Sequence, residues 1–167
     1  FIRTNKEEVF EKDIFDRLPL VEKIQPEQKV LDLGSGGGFP GIILAILKPD
    51  CEIHLLEKSQ KKCYFLNKTK DKLKLKNVRV LKTKINEKNQ LEQYNVITAR
   101  AFSSTKNILD LTKTNLKENG KYLLLKGRIE KIEEEMSAIN KNNYKYEIIK
   151  LENEKYERHL VKIKKNE

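Results

Sequence analysis

The chain has 167 residues, the size of one ordinary domain of ~100–150 residues. Apolar residues make up 38% of it and charged residues 36%, and no run approaches the ~20 apolar residues of a membrane-spanning helix. The two cysteines, Cys51 and Cys63, are too few for a disulfide scaffold, so we expect free thiols in a reducing, cytoplasmic protein without a membrane partner. Neither histidine, His54 nor His159, is expected to lie in a ligand cluster, so we expect no metal.

The formal charge of +10 is concentrated in residues 58–88, which we call the basic segment. It holds twelve basic and two acidic side chains, whereas the other 136 residues hold 23 of each sign. A bias toward lysine codons would scatter the lysines, and this excess is local, so the segment indicates a polyanionic partner such as a nucleic acid. The basic residues are Lys58, Lys61, Lys62, Lys68, Lys70, Lys72, Lys74, Lys76, Arg79, Lys82, Lys84 and Lys88.

Hydrophobic spacing predicts an alternation of helices and strands. In chain order these are a helix at 7–18, strand 29–33, helix 41–47, strand 52–56, a helix from a cap at Ser59 to about Leu73, strands 78–81 and 95–99, helix 105–116, strand 122–125, helix 130–140, and strands 144–150 and 159–164. In the helix after Ser59 we expect Phe65 and Leu66 inside and lysines outside.

This alternation predicts a mostly parallel α/β sheet, because parallel crossovers need a dozen residues or more. The last two strands have a short connection, which predicts a C-terminal antiparallel hairpin. The layout is that of the Rossmann-like, seven-stranded class I methyltransferase fold. We expect one domain, 1–167, with an N-terminal helical segment at 1–24 and a core at 25–167.

The most informative motif is a glycine loop, VLDLGSGGGFPG, which runs from Val30 to Gly41. It follows a predicted strand and opens a predicted helix, the context in which such loops bind ligands. Glu57 ends the next strand, 21 residues after Gly36, where an acid can bind the vicinal hydroxyls of a ribose. The motif therefore predicts a site for a ribose-containing cofactor.

Two cofactors compete for this loop. Residues 36–41 match the G-x-G-x-x-G pattern of dinucleotide sites. S-adenosylmethionine has no pyrophosphate, and Asp32 suits its cationic groups. Phe39 and Pro40 fill positions where a phosphate-binding helix start should be open. The residues favour S-adenosylmethionine over a nicotinamide dinucleotide, and an empty structural turn is the third alternative.

If the cofactor is S-adenosylmethionine, the motifs that the chain lacks limit which chemical groups could accept the methyl group. No Asn/Asp-Pro-Pro-aromatic motif of amine methylation follows the fourth strand, and neither cysteine is placed as the nucleophile of pyrimidine methylation. Lys126 keeps methylation of a hydroxyl open. A ring nitrogen such as guanine N7 needs no deprotonation, so a site without an acid–base pair fits it.

Five segments carry motifs that are specific in combination: VLDLGSGGGFPGIILAI, LLEKSQKKCYFL, TARAFSS, LLLKG and ERHLVKI. Together they resemble the glucose-inhibited division protein B family over about Thr4 to Lys164. These are bacterial methyltransferases of guanine N7 in 16S ribosomal RNA. The resemblance implies S-adenosylmethionine as cofactor and 16S ribosomal RNA or the small ribosomal subunit as partner, and we expect a monomer.

The resemblance also implies site residues, with the catalytic residues left unassigned. The implied cofactor-binding residues are Gly34, Gly36, Gly38, Phe39, Glu57, Lys58, Ser59, Ile85, Asn86 and Arg100. Lys126 and Arg158 are candidates for holding the acceptor. Candidates for stacking on an RNA base are Phe39, Phe102 and Tyr64, although we expect Tyr64 to pack in the core.

Several positions depart from the family pattern. Asn86 stands where the family usually has an acid, and Lys58 where an uncharged or acidic residue is common. A family pattern of His-x-x-Asp-Ser-Leu reads Asp13 to Leu18 here, with Asp13 and Arg17 replacing the His and Ser. The chain begins at Phe1, so we expect either a missing natural start or reduced RNA contacts. The alternatives are a noncatalytic RNA-binding or ribosome assembly factor, a small-molecule methyltransferase and an NAD-dependent oxidoreductase.

Overall fold

The computed structural model describes residues 18–153 and 155–167. The helices in these residues are α1 (Leu18–Glu22), α2 (Gly41–Leu47), α3 (Gln60–Lys72), α4 (Thr105–Thr112) and α5 (Ile129–Ser137). The strands are β1 (Lys29–Leu33), β2 (Glu52–Glu57), β3 (Val78–Lys82), β4 (Tyr94–Arg100), β5 (Leu116–Lys126), β6 (Tyr144–Lys150) and β7 (His159–Lys165). The helix predicted at 7–18 lies outside the described residues except for Leu18.

The strands form one sheet in the order β3-β2-β1-β4-β5-β7-β6. The five strands from β3 to β5 pair in parallel, and β7 pairs antiparallel with both β5 and β6. The predicted fold class, with its C-terminal hairpin, is confirmed. Because β1 pairs with β2 on one side and with β4 on the other, the strand order reverses between β1 and β4.

The core lies on both faces of the sheet. Val30 of β1 packs with one buried cluster, and its neighbour Leu31 packs with the other. Successive side chains of a strand point to opposite faces, so a central parallel strand covered by helices on both sides is apolar throughout. This is why the residues of β1 after Lys29 are apolar except for Asp32.

The boundary between α4 and β5 differs from the prediction. The helix predicted to reach Leu116 ends at Thr112, and the strand predicted at 122–125 already begins at Leu116. Leu116 is at helical spacing, but it pairs with Tyr94 of β4, whose N–H donates to the Asn115 carbonyl at 2.7 Å. The pairing with β4, a strand separated from Leu116 in the sequence, therefore sets where α4 ends and β5 begins, and the local spacing of apolar residues does not.

Two aromatic side chains on α3 are also placed differently. Leu66 is buried as predicted, but Phe65 is 48% exposed and Tyr64 is 63% exposed, so both lie on the surface and not in the core. The predicted cap is confirmed, because the Ser59 hydroxyl accepts a hydrogen bond from the Lys62 N–H. Among the described helices, none has both the length and the apolar character needed to cross a lipid bilayer.

Candidate functional site

The glycine loop between β1 and α2 turns through backbone conformations that favour glycine. Gly34, Gly36 and Gly38 have φ angles of +65°, +54° and +94°, a region that strains other residues. A Cβ on Gly34 would also lie only 2.5 Å from Cδ2 of Phe102. Gly34 is therefore required both by its conformation and by the close approach of the segment after β4.

Asp32 connects the end of β1 to the start of α2. Its buried Oδ2 accepts a hydrogen bond from the Gly41 N–H at 3.0 Å. Pro40 has no N–H, and the Ile42 N–H donates to the Gly38 carbonyl at 2.6 Å. The first backbone donors of α2 are thus bound by the protein itself.

Glu57 joins the glycine loop to the start of α3. Its side chain is 6% exposed. One carboxylate oxygen accepts a hydrogen bond from the Gly36 N–H at 3.0 Å, and the other accepts one from the Ser59 N–H at 2.9 Å. A carboxylate has about four acceptor positions, so Glu57 can still bind hydroxyl groups.

A cavity of about 530 Å³ opens at the carboxyl ends of the parallel strands, and we call it the switch-point cavity. Its walls come from the glycine loop, the end of β2, the residues after β3, and the segment from Ala101 to Ser103 after β4. Doubly wound sheets bind ligands at this place, where the strand order reverses. The volume lies in the ~300–1,000 Å³ range of small-molecule sites.

The predicted cofactor-binding residues divide into two groups around this cavity. Those that line it are Gly34, Glu57, Lys58 and Ile85. Those that lie outside its lining are Gly36, Gly38, Phe39, Ser59, Asn86 and Arg100. Gly36 and Ser59 contact the first group through the Glu57 carboxylate.

The remaining residues of the second group are placed by their own segments. Asn86 is exposed, and its Oδ1 accepts a hydrogen bond from the Lys88 N–H at 2.8 Å, so its side chain closes a turn. Arg100 is half-buried at the end of β4, and Phe39 is half-buried in the glycine loop. Their roles toward a cofactor stay predictions.

Sequence reasoning did not single out six residues that line the switch-point cavity: Leu56, Thr83, Ala101, Ser103, Asn107 and Leu111. Asn107 and Leu111 are four residues apart on α4, and so they share one helix face. Thr83 and Ser103 follow the ends of β3 and β4. The rule that ligands bind beyond the carboxyl ends of parallel strands could have found these two positions.

Lys126 and Arg158, the two predicted acceptor residues, line a second cavity of about 500 Å³, which we call the β5 cavity. Arg128, Lys131 and Lys155 also line it. The Arg158 guanidinium lies 5.2 Å from the centre of the Tyr156 ring. Glu135 and Glu157 also line it, so the β5 cavity combines five cationic side chains with two carboxylates and an aromatic ring.

Lys126 is held in place by a half-buried ion pair. Its Nζ lies 3.0 Å from Oε2 of Glu135 and donates to the Ser103 carbonyl at 3.1 Å. Thr105 donates to the same Glu135 oxygen through its N–H and its hydroxyl. Burial opposes ionisation, but the hydrogen bonds from Thr105 and Lys126 outweigh it and hold the pKa of Glu135 below its ordinary value. Lys126 lines the β5 cavity and Ser103 lines the switch-point cavity, so their contact connects the linings of the two cavities.

His54 lies in a side-chain cluster at the amino end of β2, which corrects the expectation that neither histidine has ligand-type neighbours. One ligand atom from each of Glu52, His54 and Glu92 lies within 4.8 Å of the other two. The Nδ1 of His54 is 2.8 Å from the Tyr94 hydroxyl, and its Nε2 is 2.6 Å from Glu52. Both ring nitrogens have protein partners, and the cluster lies at the opposite end of β2 from the switch-point cavity.

The basic segment lies on the surface. Of its twelve basic side chains, eleven are exposed and Lys70 is half-buried. They occupy α3, the edge strand β3 and the loops beside them. Lys58, Lys62 and Lys84 also line the switch-point cavity, so the basic surface reaches its rim.

Known proteins resemble the chain in sequence and in fold. A family model described as rRNA small subunit methyltransferase G matches residues 2–161. The chain is 40% identical over 126 residues to the ribosomal RNA small subunit methyltransferase G of Mycoplasma capricolum subsp. capricolum, which covers 74% of this chain and 54% of that protein. It is 37% identical over 142 residues to the protein of the same name from Aliarcobacter butzleri, covering 85% and 71%.

A solved structure, a SAM dependent methyltransferase from Aquifex aeolicus, matches the fold with a TM-score of 0.74 at 18% identity, covering 93% of this chain and 92% of that one. The chain spans between one half and two thirds of the length of several relatives that it matches, for example 61% of the relative from Ruthia magnifica subsp. Calyptogena magnifica. The sequence matches extend over most of the chain, and it belongs to the rRNA small subunit methyltransferase G family.

Proposed function

We propose that this chain is an S-adenosylmethionine-dependent methyltransferase that modifies N7 of a guanine in 16S ribosomal RNA. The observation that carries the proposal is the switch-point cavity, with the glycine loop and Glu57 in its wall and lysines at its rim. The relatives' name, ribosomal RNA small subunit methyltransferase G, supports the same substrate. We take residues 25–167 as the catalytic core.

The residues of the switch-point cavity fit S-adenosylmethionine. Glu57 keeps acceptor positions for the two ribose hydroxyls while its carboxylate holds Gly36 and Ser59. Around Gly36 the backbone is open, because the nearest atom to a Cβ built there is the Gly34 carbonyl oxygen at 3.7 Å. When bound, this cofactor supplies an electrophilic methyl group on a positively charged sulfur.

A nicotinamide dinucleotide fits the same residues less well. Its pyrophosphate binds free N–H groups at the helix that follows the glycine loop. Here the Gly41 N–H is donated to the Asp32 carboxylate, and Pro40 has no N–H. The negative charge of Asp32 at this position also repels a pyrophosphate. These contacts favour the sulfonium donor over the oxidoreductase alternative.

Guanine N7 is an acceptor that this site can serve without a general base. Its lone pair lies in the ring plane and carries no proton, so the protein needs to position the base and exclude water. The β5 cavity adjoins the switch-point cavity across the contact between Lys126 and Ser103. Lys126 and Arg158 would hold the RNA at the β5 cavity. Phe102, which lines the switch-point cavity, would stack on the target base.

The basic segment would contact the phosphates of the RNA. Its lysines run from the rim of the switch-point cavity along α3 and β3, so a strand bound along them leads into the cavity. Phosphate contacts position an RNA without reading its sequence. We expect a cytoplasmic monomer that acts on ribosomal RNA or the small subunit and needs no metal.

A methyl-transfer assay with isotope-labelled S-adenosylmethionine tests the proposal. The acceptors are deproteinised 16S ribosomal RNA and assembled small subunits that lack the modification. We expect the label in the RNA, recovered as 7-methylguanosine after digestion. Donor binding without any transfer to either acceptor would contradict the activity and support an assembly factor, and binding of NAD in its place would contradict the cofactor.

A further inference from the structure

The outer face of α3 carries two exposed aromatic rings among lysines. Lys61, Tyr64, Phe65, Lys68 and Lys72 are spaced by three, one, three and four residues, so they share one face of the helix. Tyr64 is 63% exposed and Phe65 is 48% exposed. From Lys61 to Lys72, eleven steps of ~1.5 Å each, this stripe is about 16 Å long.

Within residues 18–153 and 155–167, the packing of α3 does not account for these rings. The side chains that α3 buries against the sheet are Cys63 and Leu66, on the opposite face. Exposed aromatic rings carry a cost in water, since each presents a large apolar surface.

The chemistry of the stripe is that of a stacking platform for unpaired bases. The Nζ of Lys68 lies 5.2 Å from the centre of the Tyr64 ring, which keeps a cation beside an exposed ring face. Proteins that bind single-stranded nucleic acids combine a cationic track for the phosphates with aromatic rings for successive bases. Paired bases in a duplex cannot stack in this way.

We propose that Tyr64 and Phe65 stack on unpaired bases of the RNA where its strand leaves the switch-point cavity. The inference rests on the proposed function for the identity of the polyanion. Lys62, in the first turns of α3, lines the cavity, and Tyr64 and Phe65 lie within the next turn of the same helix. Phe65 lies three residues after Lys62 and is its neighbour on the helix surface, so a strand held by Lys62 at the rim passes onto this stripe at Phe65.

Fluorescence-anisotropy titration of a labelled single-stranded RNA oligonucleotide tests the platform. Tyr64→Ala and Phe65→Ala keep α3, because alanine has the highest helix propensity. We expect each to weaken single-strand binding at least about fivefold, the lower end of base–aromatic stacking. Tyr64→Phe keeps the ring and should bind as the native protein does. The matched control is Tyr146→Ala, which removes a ring that is 39% exposed on β6, the opposite edge of the sheet.

A duplex of the same sequence separates stacking from charge. The platform is supported if duplex affinity is unchanged in the two alanine variants, and it is overturned if duplex affinity falls as much as single-strand affinity. Unchanged single-strand affinity also overturns it. A lowered melting temperature with native RNA affinity would mean that protein covers these rings, which again overturns the proposal.

The titration is independent of methyl transfer. If the variants lose single-strand affinity but the native protein modifies no RNA, the platform stands and the proposed activity fails. If the native protein methylates guanine N7 but the variants bind single strands normally, the activity stands and the platform fails.

Discussion

Replacing Glu57 by alanine is the most direct perturbation of the proposed donor site. The buried carboxylate accepts one hydrogen bond from the Gly36 N–H and one from the Ser59 N–H. Loss of hydrogen bonds to a charged group costs about 1–3 kcal/mol of ligand affinity, so donor binding should weaken about 5- to 150-fold. Two backbone donors also lose their partner, which should lower the free energy of unfolding by about 2–6 kcal/mol.

Titration calorimetry with S-adenosylmethionine measures the affinity, and urea denaturation measures the free energy of unfolding. Both belong at a temperature where circular dichroism shows the variant to be folded. Glu52→Gln is the matched control, because it removes a charge from the exposed amino end of the same strand and should leave donor affinity unchanged. A folded Glu57→Ala protein with native donor affinity would refute the assignment of Glu57 to the ribose.

The other predictions concern the basic segment, the ion pair and the glycine loop. Charge reversal at three exposed positions, Lys72, Lys76 and Lys82, should weaken RNA binding and lower the slope of log affinity against log salt concentration by ~0.7 per lost contact. Filter binding at several salt concentrations measures this slope. A constant slope would mean that these lysines are only solvated. The pKa of Glu135 is depressed, so its stabilisation is complete above the ordinary value of 4.5 and is lost as pH falls through its lower folded value. Lys126→Met should therefore reduce the acid-dependent loss of stability in urea denaturation, and an unchanged pH dependence would contradict the role of the pair. Gly34→Ala should lower the free energy of unfolding more than Gly36→Ala. The positive φ angle costs either alanine variant ~1–2 kcal/mol, but of these two positions only Gly34 lacks room for a Cβ.

The elements that the sequence predicted well are those whose local pattern agrees with their burial. β1 and β2 are short apolar runs that end in the glycine loop and in Glu57, and both strands are central and buried. The start of α3 followed from a side-chain cap that acts within four residues. Local rules sufficed at these places because the deciding contacts are local or because burial on both faces leaves one strong pattern.

Predictions failed where a contact with a residue distant in sequence determines the structure. Leu116 has helical spacing but pairs with Tyr94, and no local rule contains that contact. Phenylalanine is a residue type common in protein cores, but the buried face of α3 is filled by Cys63 and Leu66, so Phe65 lies outside the core. The cavities were beyond prediction in the same way, since their walls join side chains from strands far apart in sequence. What could be predicted was the position of a site at the ends of β1 and β2.

The separation of charge within this molecule has a consequence for how it meets RNA. All the net charge of +10 belongs to residues 58–88, which lie along one edge of the sheet, while the rest of the chain is balanced. The excess positive charge is therefore concentrated on the side of the molecule that α3 and β3 form. Toward the proposed RNA, this charge would orient the protein with its basic edge first, and that edge includes the lysines at the rim of the switch-point cavity.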